Sequence, residues 1–93
     1  MAGPVGTQAV DRAAAVLLAV LGSTEPVSFA DLAGTTRLPK STLSRLTTSL
    51  ERNGLLQRTG TGAWQPGTQI TDYALSLRPE DDLLRLAQPY LDA

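Results

Sequence analysis

Cysteine and histidine are both absent from this chain of 93 residues. Their absence removes the thiolate nucleophile, the imidazole base, any disulfide and nearly every transition-metal site. Carboxylates, hydroxyls and amines are left for chemistry, and they form no phosphate-binding loop, no nucleophile with its base and no facing pair of carboxylates. Neither an enzyme, a bound metal nor a cofactor is expected. No apolar run approaches the roughly 18 residues of a membrane span. Residues 1–7 lack the basic start and long apolar middle of a signal peptide, so a cytoplasmic chain without a membrane partner is expected. Size is limiting too: a domain this small buries only about 60% of its extended-chain surface, which makes dimerisation a useful source of stability.

The net charge of -1 hides an uneven distribution. Residues 1–36 hold Arg12 against Asp11, Glu25 and Asp31. Residues 37–58 hold Arg37, Lys40, Arg45, Arg52 and Arg58 against Glu51 alone, a local charge of +4. Residues 59–93 are acidic again, with Arg78 and Arg85 against Asp72, Glu80, Asp81, Asp82 and Asp92. A basic middle between acidic flanks is what an anion-binding face on a neutral protein gives, although a solvated helix can show the same pattern.

Helical spacing of Val10, Ala13, Ala14, Leu17, Leu18 and Leu21 predicts a first helix, capped by Thr7 and stopped at Gly22. Val27 reads as a short strand residue. Ser28 then caps a second helix from Phe29 to about Thr36, with Asp31 in the acidic place of a capping box. A third helix runs from Pro39, placed as a first helical residue, to the stop at Asn53 and Gly54. Leu43, Leu46 and Leu50 form its apolar stripe; Ser41, Arg45, Thr48 and Arg52 lie opposite. Leu55 to Arg58 and Ala63 to Gln65 read as two brief strands joined by a four-residue hairpin, Thr59 to Gly62. Gly67 and Thr68 open a short helix with Ile70, Tyr73, Ala74 and Leu77. Pro79 starts another, whose stripe is Leu83, Leu84, Ala87, Tyr90 and Leu91. Glu80, Asp81 and Asp82 suit its first turn; they could hold a hard cation, but the helix start explains them with less assumption. That last helix has no terminating signal, which leads us to expect the front portion of a longer protein.

The order helix, helix, turn, helix, two-stranded wing predicts a mainly α fold, a winged helix-turn-helix followed by a linker helix. In such folds the third helix enters the major groove of DNA. The sequence also resembles the IclR family of bacterial transcription regulators. Leu38, Pro39, Lys40, Ser41, Thr42, Leu43, Ser44, Arg45 and Leu46 are similar to the L-P-K-S-T-x-x-R-L motif that opens that family's recognition helix. Ala9 to Ala13 match the start of its first helix, and Leu50 to Leu55 continue the likeness. The wing departs from the pattern, because Thr59, Gly60, Thr61 and Gly62 replace charged residues at the tip. The resemblance implies a DNA-binding domain over residues 1–78 and the start of a linker and dimerisation helix over 79–93. It further implies bacterial dimers or tetramers, nucleoid association, and a small-molecule effector bound only by a C-terminal domain outside this sequence.

Within that frame Lys40, Ser41, Thr42, Ser44 and Arg45 are the candidates for base contacts. Arg45 leads, since a guanidinium makes two parallel hydrogen bonds to guanine. Ser41 and Thr42 can instead stabilise the first helical turn. Arg12, Ser28, Arg37, Arg52 and Arg58 are candidates for phosphate contacts, which need charge and reach rather than strict geometry. Ser28 can cap its helix and meet a phosphate together, because helix N-termini bind anions. Arg52, at the far end of its helix, can pair with nearby acids instead. Trp64 is expected to pack the wing on the core rather than stack on a base. Leu83, Leu84, Ala87, Tyr90 and Leu91, with exposed apolar positions of the first helix, suit a two-fold dimer seam that would read a pseudopalindromic duplex; the alternative is that this stripe folds back on its own chain. A competing function is a winged-helix protein-interaction module without DNA, which a recognition face lacking basic residues would favour.

Overall fold

The computed structural model describes residues 4–77, with side chains from residue 7. The elements, in order, are α1 (Pro4–Leu21), α2 (Phe29–Thr36), α3 (Lys40–Arg52), β1 (Leu56–Arg58), β2 (Trp64–Pro66) and α4 (Thr68–Ser76). The expected fold class is what forms: four helices and a two-stranded antiparallel wing. The expected linker helix and its stripe, Leu83 to Leu91, lie outside the described residues.

One core joins five of these elements. Val16 and Val20 of α1, Leu32 of α2, Leu43 and Leu50 of α3, Leu56 of β1 and Trp64 of β2 are all buried. This shared burial is where a domain this small obtains its favourable free energy. In α1 the inward residues are Val16 and Val20 rather than the expected Val10, Ala14, Leu18 and Leu21, which are exposed, as are Tyr73, Ala74 and Leu77 of the expected fourth stripe, because the core covers a different side of each helix. Thr47 is also buried, on the same side of α3 as Leu43 and Leu50, and its hydroxyl donates to the Ser44 carbonyl at 3.0 Å.

The helix boundaries refine the expectations. Thr7 lies inside α1, because the helix already includes Pro4, whose fixed φ and missing donor suit a first turn. Gly22 closes α1, its N–H donating to the Leu18 carbonyl at 2.9 Å. Ser28 caps α2 as expected: its hydroxyl accepts from the Asp31 N–H at 3.0 Å. Pro39 stands one place earlier than expected, at the N-cap of α3, because ψ 148 is extended rather than helical.

The wing is a tighter hairpin than a plain four-residue loop. Gly62 N–H donates to Thr59 O at 3.0 Å and Thr59 N–H to Ala63 O at 2.8 Å, with Gly62 at φ 88. This is a β-turn followed by a left-handed glycine that forms a bulge. The register is Leu56 with Pro66, Gln57 with Gln65 and Arg58 with Trp64. Val27 adds a single bridge to the other edge of Trp64, exchanging hydrogen bonds of 2.7 and 2.8 Å with it. The wing is therefore fastened to the residue that precedes the α2 cap.

Candidate nucleic-acid interface

The turn between α2 and α3 sets the angle at which α3 is presented. It consists of Arg37, Leu38 and Pro39. Arg37 adopts φ 60, ψ 28, and its N–H closes α2 by donating to the Ala33 carbonyl at 2.8 Å. It is the sole non-glycine residue with positive φ among the described residues. An L-residue in the left-handed region is disfavoured by roughly 1–2 kcal/mol. Leu38, restricted to extended backbone by the following proline, is half-buried against the core.

With Leu43, Thr47 and Leu50 turned inward, the outer side of α3 is fixed by helical geometry. Ser41, Ser44, Arg45, Thr48 and Arg52 are exposed at spacings of three and four, a continuous stripe along the helix, and Lys40 is exposed at its start. Thr42 is half-buried, so it presents less of its surface than its neighbours. No side chain caps the first turn of α3. Its leading N–H groups and the positive end of the helix dipole therefore sit beside Lys40. Neither the Lys40 nor the Arg45 side chain has an ion-pair or hydrogen-bond partner among the described residues.

The candidate phosphate ligands are dispersed. Arg12 is exposed on α1, while Ser28 and Arg37 are exposed at opposite ends of α2, a helix of 8 residues. Nine steps at 1.5 Å put their backbones roughly 13 Å apart along the helix axis. Arg52 is occupied weakly, its Nη2 lying 3.5 Å from Ser49 Oγ, so the acid pairing considered for it does not occur among the described residues. Arg58 is exposed, with its guanidinium carbon 4.6 Å from the centroid of the Trp64 ring. Trp64 is 2% exposed, in the packing role expected of it. Sequence reasoning did not nominate Thr48 for a contact, although its place on the polar side of the third helix was visible. The Arg58 and Trp64 pairing was missed because a four-residue loop sets Arg58 opposite Ala63.

Among the described residues there is no enclosed cavity, no cluster of ligating side chains able to hold a metal ion, and no helix long and apolar enough to cross a membrane.

A three-helix core, a short turn into an exposed polar helix and a hairpin beside it define a winged helix-turn-helix, a fold of DNA-binding domains. The IclR helix-turn-helix domain matches residues 9–60, more than half of the chain. The chain belongs to that family. Two crystal structures share the fold. The repressor BlcR of Agobacterium tumefaciens is 28% identical at a TM-score of 0.64, over 75% of this chain and 28% of its own. RHA1_ro06953 of Rhodococcus sp., described as a transcriptional regulator of the IclR family, is 27% identical at a TM-score of 0.66, over 82% of this chain and 32% of its own. This chain thus spans about a third of the length of either. No curated protein matches it.

Proposed function

We propose that this chain is the N-terminal domain of a dimeric IclR-type transcription regulator and binds duplex DNA by sequence, with α3 in the major groove. The observation that carries this reading is the exposed stripe of α3, on which Lys40 and Arg45 stand without a counter-charge among the described residues. In this reading Arg45 pairs with a guanine edge, and Lys40, Ser41 and Ser44 contact neighbouring bases. Thr42, half-buried, reaches a base only through its exposed part. Arg12, Ser28, Arg37, Arg52 and Arg58 hold phosphates and so fix the register of the domain on the duplex.

Dimerisation is part of the proposal. Val10, Leu18 and Leu21 of α1 and Tyr73, Leu75 and Leu77 at the other end are large apolar side chains left exposed. A second copy would cover such surface. Residues 79–93, with Leu83, Leu84, Ala87, Tyr90 and Leu91, begin the linker helix in this reading and extend the seam. Two copies related by a two-fold axis read a pseudopalindromic operator. Effector binding belongs to the C-terminal part of such a regulator, and the complex resides on the bacterial nucleoid.

The test is selection of this chain and its Arg45→Ala variant on a pool of random duplexes, repeated at two salt concentrations. A two-fold motif should emerge, and affinity should fall steeply as salt rises because phosphate contacts release counterions. The variant should lose about 1–3 kcal/mol of discrimination at one base position per half-site. Its folding stability should hold, since Arg45 is exposed and alanine favours helix. Absence of enrichment by the unaltered chain at low salt would refute DNA binding by this domain alone.

A further inference from the structure

Arg58 is the only charged residue between Leu56 and Pro66, so any electrostatic contribution of the wing to a polyanion comes from it. The tip, with two glycines and two threonines, offers none. The guanidinium does not hang free. Cross-strand pairing sets Arg58 opposite Trp64, and the side chain lies 4.6 Å above the indole centroid. The indole is packed in turn: Trp64 is 2% exposed, and both its backbone N–H and its carbonyl are tied to Val27. A cation over the face of an indole is attracted by the ring quadrupole, and a guanidinium so placed still has N–H groups left to donate to a phosphate. No acidic residue of the described chain competes for them, since Arg58 has no ion pair there.

We infer that Trp64 is a positioning residue for Arg58: the buried indole holds the guanidinium in place so that its N–H groups are set toward a DNA phosphate beside the wing. This rests on the DNA reading above and names a role for the wing that its uncharged tip does not reveal. The rotamer entropy of a long side chain is largely lost on folding rather than on binding, which favours the complex. Lysine cannot substitute fully, because an ammonium on a flexible stem lacks the flat face and the planar fork.

The experiment measures binding to mixed-sequence duplex DNA, where phosphate contacts operate without base readout, across a salt titration. It uses the full chain and the variants Arg58→Ala, Arg58→Lys, Trp64→Phe and the Arg58→Ala/Trp64→Phe double variant. Arg58→Ala should bind about tenfold more weakly at low salt, with about one phosphate contact missing from the salt dependence. Arg58→Lys should keep the salt dependence of the unaltered chain and still bind about threefold more weakly. Trp64→Phe should weaken binding in the unaltered background and leave Arg58→Ala unchanged, the signature of two residues acting as one unit. Equal losses from Trp64→Phe in both backgrounds, or an Arg58→Lys variant that binds like the original, would overturn the proposal and leave Trp64 as core packing alone. The lysine variant keeps the test decisive should Trp64→Phe unfold. Failure of the unaltered chain to bind at low salt would instead defeat the DNA reading, and this proposal with it.

Discussion

Gly54 and Gly67 meet backbone to backbone: the carbonyl group of Gly54 occupies the place of a side chain at Gly67, its carbon 2.6 Å from where a Cβ would stand. The same contact carries two hydrogen bonds, Gly67 N–H to Leu55 O at 2.9 Å and Gln69 N–H to Gly54 O at 3.0 Å. The end of α3 is thereby pinned to the start of α4. Gly67→Ala should therefore cost about 3 kcal/mol, as rigid backbone must move. Gly54→Ala should cost less, about 1–2 kcal/mol, from its φ of 76, because its closest neighbour is the flexible Gln69 side chain. Thermal unfolding of the two variants checks the order; a reversed order would deny the contact.

Arg37 separates stability from binding. Its left-handed backbone is one that glycine adopts without strain, so Arg37→Gly should raise stability by about 0.5–1 kcal/mol. The same change should weaken DNA binding and reduce its salt dependence by about one phosphate contact. Denaturant unfolding and a salt titration on duplex DNA measure the two effects. A variant that is more stable and binds equally well would remove Arg37 from the interface.

Ser28 allows a similar division at the start of α2. Ser28→Ala removes the oxygen that accepts from the Asp31 N–H and should cost about 1 kcal/mol. Ser28→Asp keeps a good cap and should keep the stability of the original. Placed against a phosphate, however, the carboxylate should weaken duplex binding severalfold, and more so at low salt. Unchanged affinity in Ser28→Asp would show that no phosphate approaches this helix end.

Thr47 is buried on the inward side of α3. The hydroxyl bonds only to the Ser44 carbonyl one turn back, within the same helix. Thr47→Val should thus change stability by less than about 1 kcal/mol, whereas Thr47→Ser, which opens a methyl-sized void, should lose about 1 kcal/mol. Chemical denaturation distinguishes the two, and serine tolerated better than valine would assign the role to the hydroxyl.

How much of this was legible in the sequence follows from the range of the forces involved. Helix α2 and its cap, α3 with its stop at Asn53 and Gly54, and the inward Leu43 and Leu50 depend on periodicity and local hydrogen bonding, which a linear chain displays. The same period sets Ser41 and Arg45 outward, and a place in the first half of the helix nominates Lys40, Thr42 and Ser44; all are exposed except Thr42, which is half-buried. The bulge at Gly62 was not legible, since it shifts the strand register by a single residue and no local pattern distinguishes the two pairings. That shift is what places Arg58 over Trp64.

The sequence by itself determined the kind of domain, the order of its elements and the polar face of α3, because each is written in spacings shorter than two helical turns. Tertiary structure decided the rest: that Gly67 must be glycine because Gly54 lies against it, and that Arg37 bears the left-handed turn. It also decided that a buried tryptophan carries the wing's only cation. These arise from contacts between residues far apart in the chain or from the packing of whole helices, where geometry in three dimensions selects among locally equivalent conformations.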